Sequence, residues 1–213
     1  MVNVVDKRLQ PTEPRSDSPL GRMLTLIECP NTHLRFLILD CPTESTLGFY
    51  LEEFKHLNVT TVVRCCQPTY QASKLMERGI DVLDMPFKDG GIPPQQIIVE
   101  WLQLVERAKQ DDLSKTIAIH CIAGLGRAPV LVAIALIEMG MKPLDAVEFI
   151  RSKRRGAFNK PQIMFLDSYK RMLKPKSSSG NHSLRSSLGR MFKFGSSSSS
   201  TNGKTSPSNL DHH

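Results

Sequence analysis

Apolar residues in this chain fall into short blocks whose internal spacing alternates between two repeats. Residues 34–39, 59–66, 80–85 and 116–120 are compact runs rich in Val, Ile, Leu and Thr, and each is short enough to be a buried strand. The stretches between them carry apolar positions at helical spacing. Residues 43–57 open on Thr and Ser and place Leu47, Tyr50, Leu51 and Phe54 on one face, which predicts a helix. Residues 73–78 predict a short helix ended by Gly79. Pro93-Pro94 opens a helix to about Lys109, with Ile97, Trp101, Leu104, Val105 and Ala108 as its apolar stripe. After the run at 116–120 come helices from Arg127 to Met139, from Pro143 to Arg151 and from Pro161 to Met172. Strands alternating with helices predict an α/β fold, a central, mostly parallel β-sheet flanked by helices. In such sheets ligands bind beyond the carboxyl ends of the strands.

The pattern also sets the limits of the domain. Residues 1–28 mix charged residues and prolines without an apolar h-region, so they read as a disordered N-terminal arm rather than a signal peptide. Residues 29–175 form a single domain, and 176–213 a serine-rich, basic disordered tail, with 13 serines in its last 37 residues. No run approaches the ~18 apolar residues of a membrane span. Charge is uneven. Residues 1–141 carry 14 basic and 17 acidic groups, whereas 142–213 carry 14 basic and only 4 acidic. This asymmetry suits an anionic partner such as a membrane surface or an acidic protein, or simply a solvated face. No nucleic-acid partner is expected, because aromatics do not interleave with the basic residues. The five cysteines lack metal-ligand spacing and read as reduced thiols, so no metal or other cofactor is expected and a cytoplasmic location is.

The candidate chemistry lies at the end of the fourth run. His120-Cys121-Ile122-Ala123-Gly124-Leu125-Gly126-Arg127 places a cysteine and an arginine at Cys-x5-Arg spacing, between a strand end and a helix start. Backbone N–H groups and the helix N-terminus there attract an anion and favour the thiolate form of Cys121, its nucleophilic state. Gly124 and Gly126 allow the backbone to turn successive N–H groups inward. The fork of Arg127 matches two phosphate oxygens. Ile122, Ala123, Gly124, Leu125, Gly126 and Arg127 are thus the candidate phosphate-binding residues and Cys121 the candidate nucleophile; a buried thiol beside a solvated arginine is the plainer alternative.

A leaving alcohol or phenol needs a proton, and Asp89 in the Gly-rich segment after the third run is the candidate general acid, with Asp84 the more structural competitor. Ala128 stands where a hydroxyl would help the thiolate depart from a phosphocysteine, so slow hydrolysis is expected. Cys65 and Cys66 end a strand, and only one of them faces the catalytic edge. That one is either poised for a reversible disulfide or a small core residue.

The run "HCIAGLGRAPVLVAIALIEMGMKPLDAVEFIRSKRRGAFN", with "VVRCCQPTY" and "MPFKDGGIPP", closely resembles the phosphatases of regenerating liver, small cysteine phosphatases of the dual-specificity group. The alanine after the loop arginine and the "KRRGAF" segment are marks of that family. The resemblance spans about residues 30–175. It implies a protein tyrosine or dual-specificity phosphatase with Cys121 as nucleophile, Arg127 as the phosphate-binding arginine and Asp89 as the acid. Cys66 matches the family's regulatory cysteine, which pairs with the nucleophile in a Cys66–Cys121 disulfide. Substrates of the class are phosphoproteins or phosphoinositides.

The resemblance further implies binding to cyclin-M type magnesium transporters and allows a homotrimer. This chain has Met85 where the family usually has Trp, and Lys88 where it usually has Asp. No cysteine follows Cys121, so the family's prenylation box is missing from the sequence. The basic residues Arg151, Lys153, Arg154, Arg155, Lys170, Arg171, Lys174 and Lys176 are then expected to give only weak attraction to an anionic membrane, with at most a peripheral location at plasma membrane or endosomes.

Overall fold

A computed structural model describes residues 13–15, 20–30, 32–110 and 115–173. Five strands form one sheet: β1 (Thr25–Glu28), β2 (Arg35–Leu39), β3 (Val59–Arg64), β4 (Asp81–Asp84) and β5 (Thr116–His120), in the order β1-β2-β5-β3-β4. β1 pairs antiparallel with β2, and every other pairing is parallel. The α/β sheet read from the sequence is therefore present, with an antiparallel edge strand added.

Six helices cover the sheet: α1 (Leu47–His56), α2 (Ser73–Met76), α3 (Gln95–Lys109), α4 (Arg127–Glu138), α5 (Pro143–Lys153) and α6 (Lys160–Ser168). Alternation along the strands divides the core in two. Phe36, Ile38, Val63, Ile117 and Ile119 pack with Trp101 of α3 and with α4, α5 and α6. Leu37, Leu39, Val62 and Ala118 face the other way, against Leu47, Tyr50 and Phe54 of α1 and Leu75 of α2. Every residue of α4 is buried, and between Arg127 and Glu138 at its ends the helix is apolar all round. Trp101 satisfies its indole by donating Nε1–H to Leu131 O at 2.7 Å.

The structure corrects the N-terminal boundary. Residues 25–28, assigned to a disordered arm, form β1, and a 3-10 turn at Gly21–Met23 precedes it. A short strand beside a tight turn gives too little period-2 alternation to be seen, and its order comes from pairing with β2. Arg15 also joins the fold: its backbone N and Nε donate to the buried Glu53 carboxylate at 3.2 and 2.8 Å. Residues 1–12, 16–19 and the tail at 176–213 lie outside the described residues.

Two helices fall four residues or more short of their pattern, and α2 ends at Met76 rather than Arg78. Thr46 Oγ1 accepts from Thr43 N at 2.9 Å, so residues 43–46 form a turn and α1 begins at Leu47. α6 stops at Ser168 because Tyr169 turns extended and the next residues are drawn over the end of α4. There the Glu138 carboxylate accepts from Tyr169 Oη at 2.7 Å, Met172 N at 2.6 Å and Leu173 N at 3.0 Å.

Candidate active site

Parallel pairing brings the carboxyl ends of β2, β3, β4 and β5 to one edge of the sheet, with Leu39, Arg64 and His120 in register. The residues just beyond are Cys41, Cys65 and Cys66, Asp89 and Cys121. The edge thus collects every candidate site residue except those of the loop into α4, which begins there.

That loop is held from outside by its carbonyls. Ile122 O accepts from Cys41 N at 2.9 Å, and Leu125 O from Phe158 N at 2.7 Å. Ala123 O and Gly124 O accept from Arg154 Nη2 and Nε at 3.1 and 2.6 Å. Gly126 O accepts from Val130 N at 3.1 Å, opening α4. Across a planar trans peptide the next N–H points opposite to the carbonyl. With the carbonyls turned outward, the N–H groups of the loop turn inward. Among the described residues, the backbone N–H groups of Ile122 through Gly126 donate to no protein backbone acceptor. A convergent ring of free amides at a helix N-terminus is an oxyanion cradle.

Gly124 is required there: its φ is +65°, and a Cβ would lie 2.4 Å from Leu39 O and 2.5 Å from Arg154 Nη2. Gly126 differs: its φ is −120°, outside the left-handed region.

Cys121 is buried at the floor of the loop. Arg127 is buried too, and its Nη1 donates to Cys65 O at 3.0 Å and Phe87 O at 3.3 Å, which fixes the guanidinium plane. Its Nε sits 3.1 Å from Asp89 Oδ1 but off the hydrogen-bonding direction, so this buried N–H has no hydrogen-bond acceptor. The contact places Asp89 at the mouth of the cradle, with 78% of its side chain exposed. Asp84, the competitor, is bound elsewhere: Arg64 Nε and Nη2 grip it at 2.6 and 2.7 Å, a structural pair.

The acid loop has its own tethers. Asn159 Nδ2 donates to Gly90 O at 2.9 Å and Gln162 Nε2 to Gly91 O at 3.0 Å. The same two side chains form the capping box that opens α6.

Behind Cys121, His120 is fully buried, and desolvation pushes its pKa down to about 4. The imidazole is therefore neutral at pH 7. Its Nδ1–H donates to Cys121 O at 3.2 Å, because a carbonyl can only accept, and Nε2 accepts from Tyr70 Oη at 2.8 Å.

The five cysteines are free thiols. Cys65 and Cys66 are both buried, and Cys66 Sγ lies 3.7 Å from Cys41 Sγ and 3.9 Å from His120 Nδ1. Burial pushes the Cys66 thiol up to about 12. Cys41, Cys66 and His120 offer a three-ligand cluster, with ligand atoms within 4.8 Å of one another. Spacing along the sequence misses this cluster because its members lie at the ends of three different strands. Both ring nitrogens of His120 already have partners, which weakens the cluster as a metal site.

Sequence reasoning also missed Arg154, Asn159, Gln162 and Tyr70. Arg154 was grouped with basic residues facing a membrane; the structure corrects this. It is buried, and beyond its two bonds to the loop its Nη1 donates to Met23 O and Thr25 Oγ1 at 2.9 and 3.0 Å. Arg151, Lys153, Arg155, Lys170 and Arg171 are exposed, and Lys174 and Lys176 lie outside the described residues. Only the Asn-x-x-Gln spacing of the capping box was legible beforehand.

Known proteins resemble this chain in sequence and fold. A family model described as "Tc-R-P: Polymorphic toxin system, DSP-PTPase phosphatase" matches residues 42–141. The Dictyostelium discoideum "Probable protein tyrosine phosphatase type IVA A" is 51% identical over 153 residues, covering 72% of this chain and 91% of its own. The Mus musculus "Protein tyrosine phosphatase type IVA 2" is 51% identical, covering 68% and 86%. Among solved structures, a Leishmania major protein tyrosine phosphatase superposes with a TM-score of 0.64 at 43% identity, covering 70% of this chain and 99% of the other. The chain belongs to the type IVA protein tyrosine phosphatases, the phosphatases of regenerating liver.

Proposed function

We propose that the chain hydrolyses phosphomonoesters of proteins or phosphoinositides through a phosphocysteine on Cys121 that turns over slowly. The carrying observation is the ring of inward amides between Cys121 and Arg127, each flanking carbonyl held by an outside donor. In the first step Cys121 Sγ attacks phosphorus as the P–O bond to the leaving group breaks. The amides and Arg127 take the charge of the equatorial oxygens. Asp89 gives its proton to the departing oxygen, then takes one from the water that attacks the phosphocysteine. Cys121 leaves as thiolate, and inorganic phosphate is released.

Ala128 sets the rate of that second step. It is fully buried, directly follows Arg127, and has no hydroxyl to donate to the departing sulfur. A donor of this kind contributes ~2–4 kcal/mol to catalysis. Ala128→Ser is expected to leave the burst of phenol from an aryl phosphate intact in rapid-quench kinetics while raising steady-state turnover by roughly thirtyfold to several hundredfold, on the order of what such a donor supplies. An unchanged phosphocysteine lifetime rules the reading out.

A second reading, regulatory binding of a cyclin-M type magnesium transporter, is favoured by the apolar rim of the loop. Ile122 and Leu125 are 54% and 38% exposed there, a surface that suits a protein partner better than phosphate alone. Capture of a transporter regulatory domain is expected to survive Asp89→Ala and to be lost when Cys121 carries phosphate; capture that ignores the phosphocysteine refutes it. The Cys66–Cys121 disulfide belongs to the same proposal as the means of switching the nucleophile off.

A further inference from the structure

Two cysteines flank the end of β5 from opposite sides. Cys41 follows β2 and Cys66 follows β3, and these strands lie on either side of β5 in the sheet. Two strand spacings put their axes about 9.6 Å apart, at ~4.8 Å per neighbour. Yet the two Sγ atoms meet at 3.7 Å, with Cys66 Sγ 3.9 Å from His120 Nδ1 at the end of β5. The two side chains close the gap across the end of β5.

The surroundings suit a covalent pair better than a metal centre. His120 spends Nδ1 on Cys121 O and Nε2 on Tyr70 Oη, so it would have to abandon the loop to ligate. Thr69 Oγ1 donates to Pro42 O at 2.6 Å, which leaves its oxygen to accept from the Cys41 thiol at 3.1 Å. Cys41 is half-buried and reachable from solvent, whereas Cys66 is buried and its thiol stays protonated at neutral pH. An oxidant therefore meets Cys41 first.

We infer that Cys41 and Cys66 are a second oxidisable pair beside the nucleophile, in which a hydroperoxide converts Cys41 to a sulfenic acid that Cys66 resolves as a Cys41–Cys66 disulfide. In the first step the peroxide O–O bond breaks, one oxygen stays on Cys41 Sγ, and the other leaves as water or an alcohol. In the second the S–S bond forms as the Cys41 S–O bond breaks. The Cys66 proton leaves with the hydroxyl as water. The two sulfurs together lose two electrons to the peroxide. Closing the pair shortens 3.7 Å to the ~2.05 Å of a disulfide. Cys66 bound to Cys41 has no sulfur to offer Cys121, so the pair competes with the Cys66–Cys121 lock. This consequence rests on that reading; the pairing itself does not.

The test is peptide mapping under non-reducing conditions. The reduced full chain is treated with equimolar hydrogen peroxide, blocked with N-ethylmaleimide, digested and mapped by mass spectrometry. Most of the oxidised Cys66 is expected in a peptide linked to Cys41, in the wild type and equally in Cys121→Ser. The link disappears in Cys41→Ser. Oxidised protein with Cys66 linked only to Cys121, or with Cys41 fully alkylated, overturns the inference. Loss of the Cys41–Cys66 link in Cys121→Ser also overturns it, since Cys41 would then not be the first site of attack. So does a zinc ion bound stoichiometrically to the reduced chain that shields both thiols from N-ethylmaleimide. The wild type and Cys121→Ser decide the question even if Cys41→Ser fails to fold. If phosphatase turnover is absent altogether, the mapping still reads the pair.

Discussion

Arg154→Lys keeps the positive charge near the active-site loop and removes only the fork. The native guanidinium makes four hydrogen bonds: Nε to Gly124 O, Nη2 to Ala123 O, and Nη1 to Met23 O and Thr25 Oγ1. A lysine ammonium in that pocket reaches one carbonyl at most, in place of a planar five-donor group. Three acceptors, at least one of them a loop carbonyl, then lose their donor. At about 1 kcal/mol each the change costs about 3 kcal/mol of stability, or a fall in Tm of roughly 6–12 °C for a domain of this size.

The effect on the site is separate from the effect on stability. Without Arg154 the peptides after Ala123 and Gly124 are free to rotate, and their N–H groups leave the ring around the anion. Each lost charge-assisted contact is worth about 1.5–3 kcal/mol, so affinity for vanadate is expected to fall by at least tenfold. The assay is vanadate inhibition of aryl phosphate hydrolysis below the variant's Tm, with alkylation of Cys121 by iodoacetate, itself an anion, as an independent probe. Both should weaken together. A folded variant that binds vanadate as tightly as the wild type would show that the loop holds its shape unaided, and the outward-carbonyl account of the cradle would be wrong.

Gly124→Ala forces a Cβ to 2.4 Å from Leu39 O at φ +65°, so the loop must deform. Vanadate affinity is expected to collapse by more than a hundredfold, on the order of 3 kcal/mol of strain, and a variant with normal inhibition refutes the requirement. Gln162→Ala frees Gly91 O and breaks the capping box, so the acid loop loosens while the cradle keeps its other contacts. kcat for a poor leaving group is expected to drop about tenfold, with little change for an activated aryl ester or for vanadate binding; equal losses on both esters count against it. His120 gives a pH effect with a defined sign. Its folded pKa is about 4 against 6.5 unfolded, so above pH 6.5 both states are neutral and the group has no pH-dependent effect. As pH falls from 6.5 to 4 only the unfolded chain takes the proton, and stability drops by up to ~3 kcal/mol. Urea midpoints at pH 7.5 and 5.0 should show this loss in the wild type and a smaller one in His120→Asn; parallel slopes refute it.

The sequence carried the sheet and the positions of Cys121, Arg127 and Asp89 near its carboxyl edge, because those depend on local order. Val59–Arg64 and Thr116–His120 are strands by composition alone, and a Cys-x5-Arg loop between strand and helix leaves few alternatives. β1 was not legible because a four-residue strand acquires its order from its neighbour. Arg154 was missed for a related reason: one basic residue in Arg-Ser-Lys-Arg-Arg looks like the next, and only the turn before Gly156 carries this one inward. Cys41 had no signal at all. Its meeting with Cys66 depends on strand order, β2 and β3 flanking β5, which no local pattern encodes.

What the chain adds to the bare motif is support from a shared base. Arg154 and Phe158, at the connection between α5 and α6, hold the cradle through Ala123, Gly124 and Leu125. Asn159 and Gln162, a few residues on, hold the acid loop through Gly90 and Gly91. The Cys121 loop and the Asp89 loop are thus fixed to one short segment, residues 154–162. Changes in that segment move both halves of the reaction, whereas the Cys41 contact to Ile122 O touches the cradle alone. Arg154→Lys and Gln162→Ala separate along that line: the first lowers anion affinity, the second lowers proton transfer, and a double variant should lose both by the product of the single effects if the two tethers act independently.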